Sequence, residues 1–107
     1  MKKLKFEEKL ISLVLSGEKN VTWRLFDDKD LSVGDDLEMI NSKSGEVFTK
    51  AEILGVKEIS LGDMDADGFD GHEKFASKEE MIDTYRGYYG DRVNEESKVK
   101  IVKFKLI

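Results

Sequence analysis

The sequence predicts an α+β domain, a small curved sheet or barrel of short strands with two helices flanking or plugging it. Three observations carry this expectation. The chain has 107 residues, a length that suits one domain with its own core. Several short segments alternate apolar and polar residues with the period of a strand. Two other segments repeat apolar residues at helical spacing and end on glycine. No repeat, low-complexity tract or linker interrupts residues 1 to 107, so a single domain is expected.

The elements follow in order. Residues 6 to 16 read as the first helix, because Phe6, Leu10, Leu13 and Val14 share a helical spacing and Gly17 stands at the C-cap. Residues 4 to 6 also fit a short strand. Residues 19 to 25 alternate: Val21, Trp23 and Leu25 on one face, Asn20, Thr22 and Arg24 on the other. That is the pattern of a half-buried strand. Residues 27 to 30 form a polar turn, and Val33-Gly34-Asp35 turns into a strand at 36 to 40. A loop at 41 to 45 leads to a long β-leaning stretch, 46 to 59, with Gly55 as a possible bulge. Ser77-x-x-Glu80 is a capping box for a second helix that Gly90 closes, with Met81, Ile82 and Tyr85 as its apolar stripe. Residues 98 to 106 form the last strand. Val102, Phe104 and Leu106 alternate there, but Val99 and Ile101 have the opposite parity. That switch predicts a bulge or burial on both faces.

Composition excludes several chemistries. With no Cys and one His, disulfides, thiolate nucleophiles and cysteine-based zinc sites are ruled out. The basic start, Met1 to Lys5, is not followed by a signal-peptide core, and the near-apolar stretch 10 to 15 is far too short to span a bilayer. A soluble, cytoplasmic domain is expected. The 18 Lys and Arg face 23 Asp and Glu, for a net charge of −5, which disfavours indiscriminate nucleic-acid binding. Residues 60 to 73 hold five acids (Asp63, Asp65, Asp67, Asp70, Glu73) and no Lys or Arg, so they account for the whole excess.

Asp63-x-Asp65-x-Asp67-Gly68 matches the first half of an EF-hand loop. Position twelve must be a bidentate carboxylate, and it is Lys74. No entering helix precedes it. A solvated acidic loop is the better reading. His72 has no partner suited to a metal and fits a loop hydrogen-bonding role better than a general base.

The polar residues after Gly17 are more suggestive. Thr22 and Arg24 lie on one strand face, roughly 6 to 7 Å apart along it. Lys19 can join them if the chain turns after Gly17. A hydroxyl, an amine and a guanidinium could together make an activated nucleophile, its base and an oxyanion partner. Ordinary strand and surface roles also explain each residue. Trp23 reads as core. Tyr88 and Tyr89 could line a pocket rim. Lys98, Lys100, Lys103 and Lys105 read either as a basic patch or as a protected edge strand.

Leu15-x-Gly17-x-Lys19-x-x-Thr22-x-Arg24, followed by Val33-Gly34-Asp35-x-Leu37, resembles the ASCH domain family. Glu79-Glu80-Met81 and Tyr88-Tyr89-Gly90 resemble its second half. The resemblance covers nearly the whole chain. It implies a PUA-like fold, a small curved β-barrel with two main flanking helices. One branch of the family consists of small amidohydrolases that remove the acetyl group from N(4)-acetylcytidine. By that likeness Lys19, Thr22 and Glu73 are the catalytic residues and Arg24 binds substrate. Glu79 and Glu80 are better explained by capping and the helix dipole. The resemblance implies a metal-independent reaction without a cofactor, a modified pyrimidine nucleoside as the partner molecule, and a monomer. The alternative from another class is a non-catalytic RNA-binding PUA-like module. A ribonuclease on the same fold would have to rest on His72 and Lys19.

Overall fold

In a computed structural model, which describes residues 1–26, 29–64 and 75–107, the alternating segments build one five-stranded sheet. The elements are β1 (Lys2–Phe6), α1 (Glu8–Ser16), β2 (Val21–Leu25), β3 (Asp36–Asn41), β4 (Val47–Ser60), a 3₁₀ turn (Leu61–Asp63), α2 (Lys78–Tyr89) and β5 (Lys98–Leu106). The strand order is β1-β3-β4-β5-β2. β1 pairs with β3 in parallel, and the other pairings are antiparallel.

Phe6 ends β1 and does not open the first helix. Leu4 and Phe6 alternate with Lys3 and Lys5 and are buried, as a strand with one covered face requires. α1 starts at Glu8, with Glu7 in extended conformation as its cap residue. At its other end Gly17 has a φ of 85°, and its N–H donates to Val14 O. The N–H of Lys19 donates to Leu13 O at 3.0 Å. These bonds wind residues 17 to 19 into a turn, so β2 begins at Val21 and not at 19. β2 is also more than half-buried: Thr22, on the polar face, is only 4 % exposed.

The switch of parity in β5 is burial on both faces. Val102 and Phe104 pack with Leu4, Phe6, Leu37 and Ile53 in one apolar cluster. Val99, with the partly buried Ile101, packs in a second cluster with Val21, Trp23, Leu25, Met81 and Tyr85. The sheet therefore carries a core on each side. The expected irregularity at Gly55 is present on β4, where the register against β5 shifts between Ile53 and Gly55.

α2 is capped as its sequence suggests. Ser77 Oγ accepts from the N–H of Glu80 at 3.1 Å, a bond worth about 1 kcal/mol in typical helices. Met81 and Tyr85 are buried, and Ile82 packs beside them. The Val33-Gly34-Asp35 motif is structural. Gly34 takes a φ of 90°, a left-handed turn that suits glycine, and its N–H reaches Ile53 O. Asp35 accepts from the Ser32 N–H at 2.9 Å and from Lys2 Nζ at 2.6 Å. The Lys2 hydrogen bond, then the Ser32 N–H, hold its carboxyl below the usual carboxylate range. This clamp ties β1 to the entry of β3.

β1 and β2 are the edges of the sheet. The sheet curls until they face each other, and a side chain spans the gap: Arg24 Nη2 on β2 donates to Lys5 O on β1 at 3.0 Å. No helix among the described residues is long and apolar enough to cross a membrane.

Candidate functional site

The gap between the two edge strands is a cleft of about 540 Å³. Lys5 and Phe6 of β1 form one side, and Thr22, Trp23 and Arg24 of β2 form the other. Glu7 and Leu10 enter from α1, Ser42 follows β3, and Tyr85, Gly87, Tyr88 and Tyr89 come from α2. Lys19 lines the same cleft from the turn after α1.

Three of the four site residues expected from the sequence therefore meet in one place. Lys19 is 3 % exposed and Thr22 is 4 % exposed. Only Ser97 joins them as a buried polar residue among those described. Burying an amine and a hydroxyl is costly unless each is hydrogen-bonded. Lys19 Nζ donates to Val21 O at 2.9 Å. Thr22 Oγ1 accepts from Arg24 Nε at 3.2 Å. The Arg24 guanidinium also lies 4.8 Å from the centre of the Phe6 ring, a cation–π contact that fixes its plane. Glu73 lies outside the described residues, as do Asp65, Asp67, Asp70 and His72. Asp63, the one acid of that run to be described, ends the 3₁₀ turn.

The opposite wall is aromatic. Tyr85 stacks on Trp23 with ring centroids 5.7 Å apart and lies parallel to Tyr89 at 6.3 Å. Tyr88 meets Tyr85 edge-on at 5.6 Å. Trp23 and Tyr85 are core residues, and Tyr88 and Tyr89 reach the rim, as their sequence positions suggested. Lys5, Phe6, Glu7, Leu10 and Ser42 were not foreseen as site residues. Their contribution depends on the curl that carries β1 to β2, and no local pattern encodes it.

Chemically the cleft offers a hydroxyl held by a guanidinium, a buried amine, and a stacking surface for a planar ligand. Its volume falls in the range of small-molecule sites.

Comparison with protein-family models and with curated proteins finds no match. Solved structures do match. The hypothetical protein PH0355 superposes with a TM-score of 0.78 at 24 % identity, over the full length of both chains. An ASCH domain from Lactobacillus crispatus matches with a TM-score of 0.66 at 19 % identity, over 89 % of this chain and 68 % of its own. An ASCH protein from Zymomonas mobilis matches with a TM-score of 0.66 at 14 % identity, over 96 % and 65 %. At these identities the likeness is one of architecture: the chain has the PUA-like α+β fold of ASCH domain structures.

Proposed function

We propose that the chain is an amidohydrolase that removes the acyl group from N(4)-acylated cytidine, converting N(4)-acetylcytidine to cytidine and acetate. One observation carries the reading. Lys19 and Thr22, two polar side chains with almost no exposure, line the same cleft as Arg24 and three tyrosines.

The exposed Tyr88 stacks on the pyrimidine, as aromatic side chains do with nucleobases, and Tyr89, set at 86° to it, meets the base edge-on. Thr22 Oγ1 attacks the amide carbonyl carbon. Its lone pair already faces Arg24 Nε, so its proton points elsewhere; Lys19, acting as the base, takes it up. A lysine serves as such a base when burial and nearby cations disfavour its charged form. The Arg24 guanidinium stabilises the oxyanion of the tetrahedral intermediate. The carbon–nitrogen bond then breaks, and the exocyclic nitrogen takes up a proton as cytidine leaves. Glu73 is assigned the relay of that proton from the Lys19 ammonium, which regains its free amine. Lys19 takes a proton from the water that attacks the acyl–Thr22 ester and returns it to Thr22 Oγ1 as the ester bond breaks, releasing acetic acid, which ionises to acetate. Apart from substrate and water, every group in the scheme is a side chain of this protein.

The test is incubation with N(4)-acetylcytidine, followed by chromatography for cytidine and an assay for acetate. Release of both is expected. Thr22→Ala and Lys19→Ala should each reduce release to background while circular dichroism stays native. No release by the wild-type protein, or full activity in either variant, overturns the reading. Salt-sensitive, submicromolar RNA binding without turnover would instead mark a binding module.

A further inference from the structure

A second cleft, of about 290 Å³, adjoins the first and is lined by Arg24, Phe26, Glu58, Lys98 and Lys100. It shares Arg24 with the cleft described above. The register explains the continuity. Thr22 pairs with Val102, and Arg24, two residues on, pairs with Lys100. Paired residues share a face of the sheet, so the second cleft continues the first along that face, about 6 to 7 Å further on. Lys100 in turn pairs with Glu58, and Lys98 with Ser60. Lys98 Nζ donates to Ser60 Oγ at 3.1 Å.

The charge here runs against the rest of the molecule. Among the described residues, the lining of this cleft holds three cations and one carboxylate, in a chain whose net charge is −5. A fourth cation stands at the rim, where the Arg92 guanidinium lies 3.8 Å from the centre of the Phe26 ring. Phe26 holds a φ of 53°, a left-handed conformation that a bulky residue seldom adopts. Its ring is kept in this wall by Arg92 and by an edge contact to Tyr89 at 6.0 Å. Such a concentration of cations beside a site for an uncharged ring is the arrangement that attracts an anion carried by the same ligand.

We propose that this second cleft binds a phosphate on the ribose of the substrate, so that the chain prefers a cytidine monophosphate form over the free nucleoside. The inference rests on the reading of the first cleft as a pyrimidine site. Arg24 spans both compartments, with Lys98 and Lys100 receiving the phosphate and Phe26 covering the sugar.

Calorimetric titrations with cytidine, cytidine 5′-monophosphate and cytidine 3′-monophosphate test this without any turnover. One monophosphate should bind about tenfold more tightly than cytidine at low salt, and the advantage should shrink as salt screens the contact. Which isomer gains identifies the ribose oxygen that carries the phosphate. In Lys98→Gln/Lys100→Gln the advantage should vanish, with cytidine affinity and melting temperature unchanged. Equal affinities for cytidine and both monophosphates overturn the proposal, as does an advantage that survives the double substitution. A short cytidine-containing RNA that binds more tightly than either monophosphate also overturns it, because the cleft is then a strand track. A monophosphate preference that depends on Lys98 and Lys100, in a protein that deacylates neither N(4)-acetylcytidine nor its monophosphate, supports the phosphate site and removes the hydrolase reading alone.

Discussion

Arg24 joins three parts of the molecule. Its Nε holds Thr22 Oγ1, its Nη2 holds Lys5 O on the facing strand, and its guanidinium lies against Phe6. A planar fork can do this at fixed geometry, and an ammonium cannot. Arg24→Lys is therefore not a conservative change here. If the guanidinium stabilises the oxyanion, the substitution should lower kcat by about 10²- to 10³-fold, the usual cost of losing one such donor. KM should change much less, because the tyrosine wall that stacks on the base is untouched. Steady-state kinetics on N(4)-acetylcytidine checks the split. A rise in KM with kcat unchanged would make Arg24 a ground-state binding group and take it out of the chemical step.

At the scale of elements, most boundaries were legible because they rest on local chemistry. Ser77 caps α2, Gly17 ends α1 and Gly55 marks the β4 irregularity, each within its own few residues. β1 was not legible. Its burial depends on a parallel partner some 35 residues away, Lys2 against Leu37 in register, and such pairing leaves no mark in a five-residue segment. The candidate site was legible only in part for the same reason. Lys19, Thr22 and Arg24 are close in sequence, but Ser42 and the Lys5 carbonyl reach the cleft only through the curl. The clamp that positions β1 has a pH dependence of definite sign. The Asp35 carboxyl is held below its ordinary value of 3.8 by Lys2 and the Ser32 N–H, so it favours the folded state when ionised. That contribution is complete above the unfolded value and is lost as pH falls through the lower folded one. Wild type should thus be more stable than Asp35→Asn at pH 7, and the difference should shrink below about pH 4. Urea titrations at pH 7, 4 and 3 measure it. A difference that is constant across that range would deny the carboxylate its role.

At the scale of the whole molecule, the sheet is thin in one respect: β5 carries residues of both apolar clusters. Ile53, Val102 and Phe104 belong to one cluster, while Val99 belongs to the other and Ile101 packs against it. Neither core can be dismantled without loosening β5, which holds the other. The cleft sits where the ends of both meet, with Phe6 from the first core and Trp23 and Tyr85 from the second. Unfolding should therefore be a single transition. Trp23 is the sole tryptophan and lies in the second cluster, so its fluorescence reports on that side alone. Leu4 lies in the first cluster and is 1 % exposed. Leu4→Ala removes buried methyl groups and leaves a void, which costs about 2 to 5 kcal/mol in comparable cores. If the cores are coupled, the Trp23 fluorescence transition should move to lower urea by the full amount. It should also coincide with the far-ultraviolet circular dichroism transition, which reports the whole sheet. A fluorescence midpoint that stays in place while the dichroism midpoint falls would show two cores melting separately. The cleft would then be bounded by independent units, and its geometry could not be held by the sheet as a whole.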